Sequence, residues 1–245
     1  MSVFDSPVAG FDLETTSPNP EEARIVTACV GAVPTPGVWE PSGWLVNPGV
    51  PIPEEASKIH GIYTEEAVAK GVPPVDALWP ILASLDEVWS AGGAVIGANI
   101  CYDFTVLDRE CRRHLDQPLV IGGPVLDTLV LDKMVDRYRR GSRRLVDTAR
   151  HYGVQLVDAH AADADALAAV RIAWALLNRG HTYALPIRGV VVLGELSGQE
   201  LHDLQVEAFA EQRASFYAYL RGKGEEPDDE NLVWPLKPYP GEVAA

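Results

Sequence analysis

Three short acidic clusters, one with a histidine, are where this chain could do chemistry. The first is Phe11-Asp12-Leu13-Glu14-Thr15-Thr16-Ser17. In an extended strand residues i and i+2 face the same side, so Asp12 and Glu14 stand roughly 7 Å apart with their carboxylates together, while Phe11 and Leu13 pack on the other side. Two carboxylates facing together can flank a hard cation. The spacing alone is not distinctive, since Asp228-Asp229-Glu230 repeats it in a polar tail. What sets Asp12 and Glu14 apart is that they interrupt an apolar strand, where an unpaired charge is costly to bury. The second cluster, Asn99-Ile100-Cys101-Tyr102-Asp103-Phe104, places Asp103 in the first turn of a helix directly after a short apolar strand. Open α/β sheets hold ligands at that address, although an acidic residue there also stabilises a helix N-terminus. The third cluster is His160-Ala161-Ala162-Asp163-Ala164-Asp165-Ala166, opening an Ala-rich helix. His160 falls at or just before the helix start and Asp165 in an early turn; Asp163 competes with Asp165, and the spacing favours Asp165.

Taken together the clusters say more than any one of them. Two carboxylates ~5 Å apart repel by about 3 kcal/mol at an effective dielectric near 20, so four converging ones need divalent cations. Oxygen-only ligation without cysteine points to two Mg²⁺ or Mn²⁺ ions. Such a pair, ~3.5 to 4 Å apart, stabilises both the attacking and the leaving oxygen of a phosphoryl displacement. Hydrolysis of a phosphodiester is the chemistry these residue types suit.

The elements that must carry these groups follow from periodicity. Pro7 to Leu13, Arg24 to Val33 and Val38 to Val46 read as strands at hairpin spacing, an antiparallel start. A Pro-rich loop from Asn47 to Pro53 follows, then a helix over Val75 to Ser90 with apolar residues at helical spacing. The strand from Ala94 to Asn99 runs into a helix from Tyr102 to His114, and this order marks the second half as parallel α/β. Further helices are expected over Asp127 to Tyr138, Leu145 to Tyr152 and Ala162 to Asn178. Beyond Gly180 the character changes. A short strand, Gly189 to Leu193, leads to Ser197-Gly-Gln-Glu200, a capping box opening a helix to about Arg221. The division expected is residues 1–180 as one α/β unit and 181–245 as an extension with a long helix and an acidic Pro-rich tail. That helix either packs back on the domain or docks a partner, a second copy or a polymerase. In the tail, Leu232, Val233, Trp234 and Leu236 are the residues that could dock.

The chain has 245 residues, of which 47% are hydrophobic, enough for a folded core. Cys29, Cys101 and Cys111 form no C-x-x-C pair, which excludes a zinc ribbon and a disulfide framework. No apolar run approaches membrane length and the first residues do not read as a leader, so a soluble, cytoplasmic protein is expected. The net charge of −15 argues at first against a nucleic-acid partner. Its distribution is uneven, however, with ten basic and six acidic residues between 109 and 150. Arg137, Arg139, Arg140, Arg143 and Arg144 are therefore either a solvated helix face or a phosphate-tracking patch, and in the second case replacing Arg139, Arg140 and Arg143 weakens substrate binding.

At the three clusters the chain resembles the DEDDh exonucleases, the DnaQ-like family that includes the proofreading ε subunit of bacterial DNA polymerase III, oligoribonuclease and RNase T. The resemblance runs over roughly Pro7 to Asn178 and extends to Asn47-Pro-Gly and Ile59-His60-Gly61-Ile62, similar to a loop of the ε-like branch. Ala161 stands where the other subclass carries tyrosine. The resemblance implies a ribonuclease H-like fold, a five-stranded mixed sheet flanked by helices. It implies that Asp12 bridges two metal ions completed by Glu14, Asp103 and Asp165, with His160 as general base. It further implies that Thr15 and Thr16 hold the terminal nucleotide, that Ile62 and Phe104 offer apolar surfaces to the terminal bases, and that Asn99 orders the site, while His60 supports its loop. The partner implied is a DNA or RNA 3′ end, DNA before RNA because of the HGI loop. The other readings are an RNA-trimming exoribonuclease and a non-catalytic nucleic-acid-binding module. Ser17 departs from the glycine that ε-type sequences often carry, and nothing after Gly180 matches.

Overall fold

The computed structural model describes residues 2–35, 37–157, 159–185, 189–227 and 231–242. The Asp228-Asp229-Glu230 trio lies outside these. The centre is a five-stranded sheet in the order β3-β2-β1-β4-β5. The strands β1 (Val8–Thr15), β2 (Ile25–Val33) and β3 (Glu40–Leu45) pair antiparallel, as their hairpin spacing predicts. The strands β4 (Ala94–Gly97) and β5 (Val125–Asp127) join parallel to β1, so the sheet is mixed as expected.

Helices cover both faces: α3 (Pro74–Ser90) and α4 (Ile100–His114) on one, α5 (Thr128–Val135), α6 (Leu145–Tyr152) and α7 (Ala162–Leu177) on the other. On β1 the odd residues Phe11 and Leu13 enter the α3–α4 side, whereas Gly10, Asp12 and Glu14 face α7. Glycine at position 10 is required by that packing. A Cβ there would lie 2.5 Å from the Ala166 carbonyl oxygen, so only a bare backbone lets α7 approach β1.

The expected elements are present, with differences that have physical reasons. Val125–Asp127 is a strand, and α5 begins only at Thr128. Its three residues are too few to show a period. Two short helices, α1 (Glu54–His60) and α2 (Thr64–Lys70), and the strand β6 (Thr182–Leu185), which pairs with β7 (Gly189–Val192), are additional. The capping box does open α8 (Gly198–Gly222), Ser197 Oγ accepting the Glu200 N–H and the Glu200 carboxylate accepting the Ser197 N–H.

Helix α8 packs on β5 and α5. Its Gln205 is fully buried and treats the free edge of β5 as a neighbouring strand would. The side-chain Oε1 accepts the Asp127 N–H at 2.8 Å, and Nε2 lies 3.4 Å from the Val125 carbonyl. An uncovered sheet edge would leave those groups unpaired. In the tail Trp234 is 4% exposed and joins the main core, with Leu236 packed against it. Among the described residues no helix is long and apolar enough to cross a membrane.

Phe104 requires a correction. It is fully buried and packs on Phe11 with ring centroids 5.3 Å apart, so it is a core residue and offers no surface to a base. The position after Asp103 in a helix turns inward whenever the carboxylate faces the strand ends. Phe104→Ala is accordingly expected to lower unfolding free energy by about 3–5 kcal/mol, read from urea denaturation. A loss confined to substrate affinity, with stability intact, would contradict this placement.

Candidate active site

The site forms where β1 and β4 diverge. Their parallel ladder ends at the pair Gly10–Ile96, leaving the Leu13 N–H without a strand partner on that side. Asp103, in the first turn of α4, fills the opening, and its Oδ1 accepts the Leu13 N–H at 3.0 Å. This gap lies at the carboxyl ends of the strands, where the chain departs in opposite directions.

From the α7 side come Asp165 and His160. Glu14, His160 and Asp165 offer ligand atoms all within 4.8 Å of one another. His160 is exposed and adopts a left-handed conformation, φ 72°. Its N–H donates to Asp165 Oδ2 at 3.2 Å, while Asp165 Oδ1 is buried and meets no donor. A residue held at positive φ without being glycine requires surroundings that enforce it, and such residues gather at functional sites. Asp163 is not part of this group; Asp165 is, in line with its spacing from His160.

Electrostatics ties Asp12 and Asp103 to the same group. Burial, and then the charges of Asp103, Asp165 and Glu14, push the Asp12 carboxyl well above its ordinary value. Burial, followed by Asp165, pushes Glu14 up to about 8. Asp103 is raised by burial, opposed by the Leu13 N–H and reinforced by Asp127 and Glu14. Asp165 is raised by burial and eased by the His160 N–H and ring. Among the described residues, the charges that act most strongly on these four are other carboxylates and His160, with no lysine or arginine. Four mutually repelling carboxylates, one with an orphaned buried oxygen, fit a hard divalent cation held by oxygen, with the His160 imidazole beside it.

The remaining residues named from the sequence divide. Thr15 is half-buried at the mouth, its hydroxyl bonded to the Ser17 carbonyl at 3.2 Å and to the Tyr102 phenol. Tyr102 also donates to Ser17, so the phenol ties down the exit of β1, a role its position beside Asp103 did not advertise. Thr16 is turned inward: its hydroxyl accepts the Arg24 N–H at 3.0 Å and its own N–H donates to the Arg24 carbonyl. It stabilises the bulge between β1 and β2, so its hydroxyl and N–H are engaged inside the protein, against the expectation that Thr16 holds the terminal nucleotide. Asn99 precedes α4 at φ 61°. Ile62 is half-buried against Val26, Ile52 and Ala67. His60 ends α1, with Nδ1 accepting the Ile62 N–H at 3.1 Å, and its pKa is lowered by burial and by His160.

Two of the five arginines in the arginine-rich stretch, Arg139 and Arg143, are committed to a buried carboxylate. Arg139 and Arg143 both pair with the buried Asp132, which Tyr152 also bonds, and Arg137 pairs with Glu211. Removing Arg139 or Arg143 would take one of two cationic partners from a buried carboxylate, so the reading of these two as phosphate trackers is replaced by a structural one. Arg109, Arg112 and Arg113 are likewise paired with Glu21, Asp108, Glu110 and Glu242. Arg140 and Arg144 are exposed.

Comparison with known proteins is consistent with this geometry. A family model described as RNase_T, exonuclease, matches residues 9–173. The DNA polymerase III PolC-type of Lacticaseibacillus paracasei is 27% identical over 187 residues, 76% of this chain and 12% of that protein. E. coli exonuclease I in complex with a dT13 oligonucleotide superposes with a TM-score of 0.59 at 21% identity, covering 72% of this chain and 41% of that one. Exonuclease I from Methylocaldum szegediense gives a TM-score of 0.57 at 22% identity, covering 71% of this chain and 40% of that one. The chain thus spans well under half the length of each of these relatives.

Proposed function

Because the chain belongs to the RNase_T exonuclease family, we propose that it is a metal-dependent 3′→5′ exonuclease of the DEDDh type, acting on DNA ends before RNA and releasing nucleoside 5′-monophosphates. The observation that carries this reading is the convergence of Asp12, Glu14, Asp103 and Asp165, with His160 beside two of them.

Asp12, Glu14, Asp103 and Asp165 would hold two Mg²⁺ or Mn²⁺ ions, whose chemistry is to offset charge on the attacking and leaving oxygens of a phosphoryl displacement. His160 takes the proton from the water that attacks the terminal phosphorus, a task suited to an imidazole near neutral pH. The new P–O bond forms as the bond to the 3′ oxygen of the preceding nucleotide breaks; that oxygen takes a proton from solvent to become the new 3′ hydroxyl, and the mononucleotide leaves. Thr15 and the Tyr102–Ser17 link shape the floor under the terminal sugar. Ile62, carried between α1 and α2, supplies an apolar surface for the base, and Asn99 orders the entry to α4.

Residues 1–180 act as the hydrolase unit in this reading. The extension, 181–245, supports it and leaves Phe216 and Tyr219 of α8 exposed for a polymerase or a second copy. The deciding test is a gel assay of end-labelled single- and double-stranded DNA and RNA with Mg²⁺, Mn²⁺ or EDTA. The expected result is stepwise shortening from the 3′ end with the metals and none with EDTA. Degradation of RNA alone would make it an exoribonuclease, and binding without hydrolysis would reduce it to a nucleic-acid-binding module.

A further inference from the structure

A fifth buried carboxylate stands at the same end of the sheet. Asp127, the last residue of β5, is 1% exposed and caps α5 by accepting the Leu129 N–H at 2.8 Å. The same Oδ1 reaches across to accept the Asn99 N–H at 2.9 Å. Helix capping explains the first bond and not the second. Asn99 sits in the left-handed region, φ 61° and ψ 37°, immediately before α4, a conformation that persists only when neighbours hold it. The Asp127 carboxylate is such a hold. Four residues on from Asn99, Asp103 meets the Leu13 N–H, so the placement of this carboxylate depends on where α4 begins.

Behind Asp127 lies the C-terminal segment. Gln205 fixes its N–H, as described above. The Trp234 indole packs on His202, ring centroids 5.1 Å apart; its buried N–H finds no acceptor within hydrogen-bond geometry among the described residues and favours the charged form of the Asp127 carboxyl. From Trp234 the chain runs along α4. The Lys237 N–H donates to the Thr105 hydroxyl at 3.2 Å, and the Pro238 carbonyl accepts from Arg109 at 2.9 Å. Glu242 accepts from Arg112 through both carboxylate oxygens at 3.0 Å. The helix that carries Asp103 is therefore gripped at its start by Asp127 and along its length by residues 234–242.

We propose that Asp127 is a positioning residue of the active site, through which the C-terminal segment fixes the start of α4 and so sets Asp103 for metal binding. This rests on the metal-dependent reading of the site. Partners bonded directly to a metal ligand typically change metal affinity 10- to 100-fold when lost, and Asp127 acts on Asp103 one step further out, through the Asn99 backbone.

Serine and asparagine at position 127 separate positioning from capping. Serine caps helices well and still reaches Leu129, but it is too short to reach Asn99. Asparagine keeps an acceptor at full length. Titration of the full-length protein with Mn²⁺ by calorimetry, without nucleic acid, is expected to show at least tenfold weaker binding for Asp127→Ser than for wild type, and recovery to within threefold for Asp127→Asn. Thermal melts in EDTA check that both variants fold. Trp234→Phe, which keeps the ring and removes the N–H, is expected to weaken Mn²⁺ binding two- to fivefold. Wild-type affinity in Asp127→Ser overturns the proposal, as does equal weakening in both position-127 variants. Wild-type affinity in Trp234→Phe overturns the share given to the C-terminal segment. A wild-type protein that binds Mn²⁺ and hydrolyses no oligonucleotide would sink the nuclease reading, while the Mn²⁺ comparison still decides the role of Asp127.

Discussion

Asp12→Asn is expected to abolish Mn²⁺-dependent hydrolysis and, in the absence of metal, to make the protein more stable than wild type. Asp12 is pushed up by burial and by three other carboxylates, so a neutral amide of the same shape removes several repulsions at once. At an effective dielectric near 20 the gain is on the order of 2 kcal/mol. The same physics fixes the pH dependence. The unfolded chain releases the Glu14 proton near 4.5, whereas the folded protein keeps it to about 8. Below that window both states are protonated and the group is neutral to stability; as pH rises through it, the folded state is progressively penalised. Asp12, Asp103 and Asp165 are raised as well and act in the same direction. Scanning calorimetry in EDTA should therefore show the Tm advantage of Asp12→Asn over wild type growing between pH 5 and pH 8. Added Mn²⁺ should raise the wild-type Tm at pH 8 and leave the variant nearly unmoved. A variant less stable than wild type at pH 8 without metal would mean that the four carboxylates do not repel as described.

His160→Asn should lower kcat by about 10²- to 10⁴-fold, the usual contribution of a general base, with Mn²⁺ affinity and Tm close to wild type. Asparagine is chosen because it tolerates the left-handed backbone that His160 adopts and preserves the N–H that donates to Asp165. Alanine would strain that turn and blur the result. His160 is exposed, so removing its ring costs little packing. A rate within threefold of wild type would show that another group accepts the proton. A large loss of Mn²⁺ affinity alongside the rate would instead make His160 a ligand of the cation rather than a base.

The acidic site was legible in the sequence because its signals are local. Strand pitch alone puts Asp12 and Glu14 on one face, and an apolar strand feeding a helix puts Asp103 at the sheet's carboxyl edge. The capping box before α8 and the separation of His160 from Asp165 are contained within a few residues. The mixed α/β class followed from the same local order of hairpin strands and then strand–helix units, whereas the five-stranded ribonuclease H-like fold came with the family resemblance. Tertiary structure decided everything that depends on a partner distant in the chain. Phe104 became core because Phe11 and Trp89 lie over it. Arg139 and Arg143 became structural because a buried Asp132 needed them. The glycine at position 10 gained its meaning from the Ala166 backbone, more than 150 residues on. Asp127 was only the first residue of an expected helix until its contacts with Asn99 and Gln205 were in place. Periodicity and spacing report which way a side chain points along its own element, whereas the cost of burying a charge or a backbone group depends on what another element brings to it.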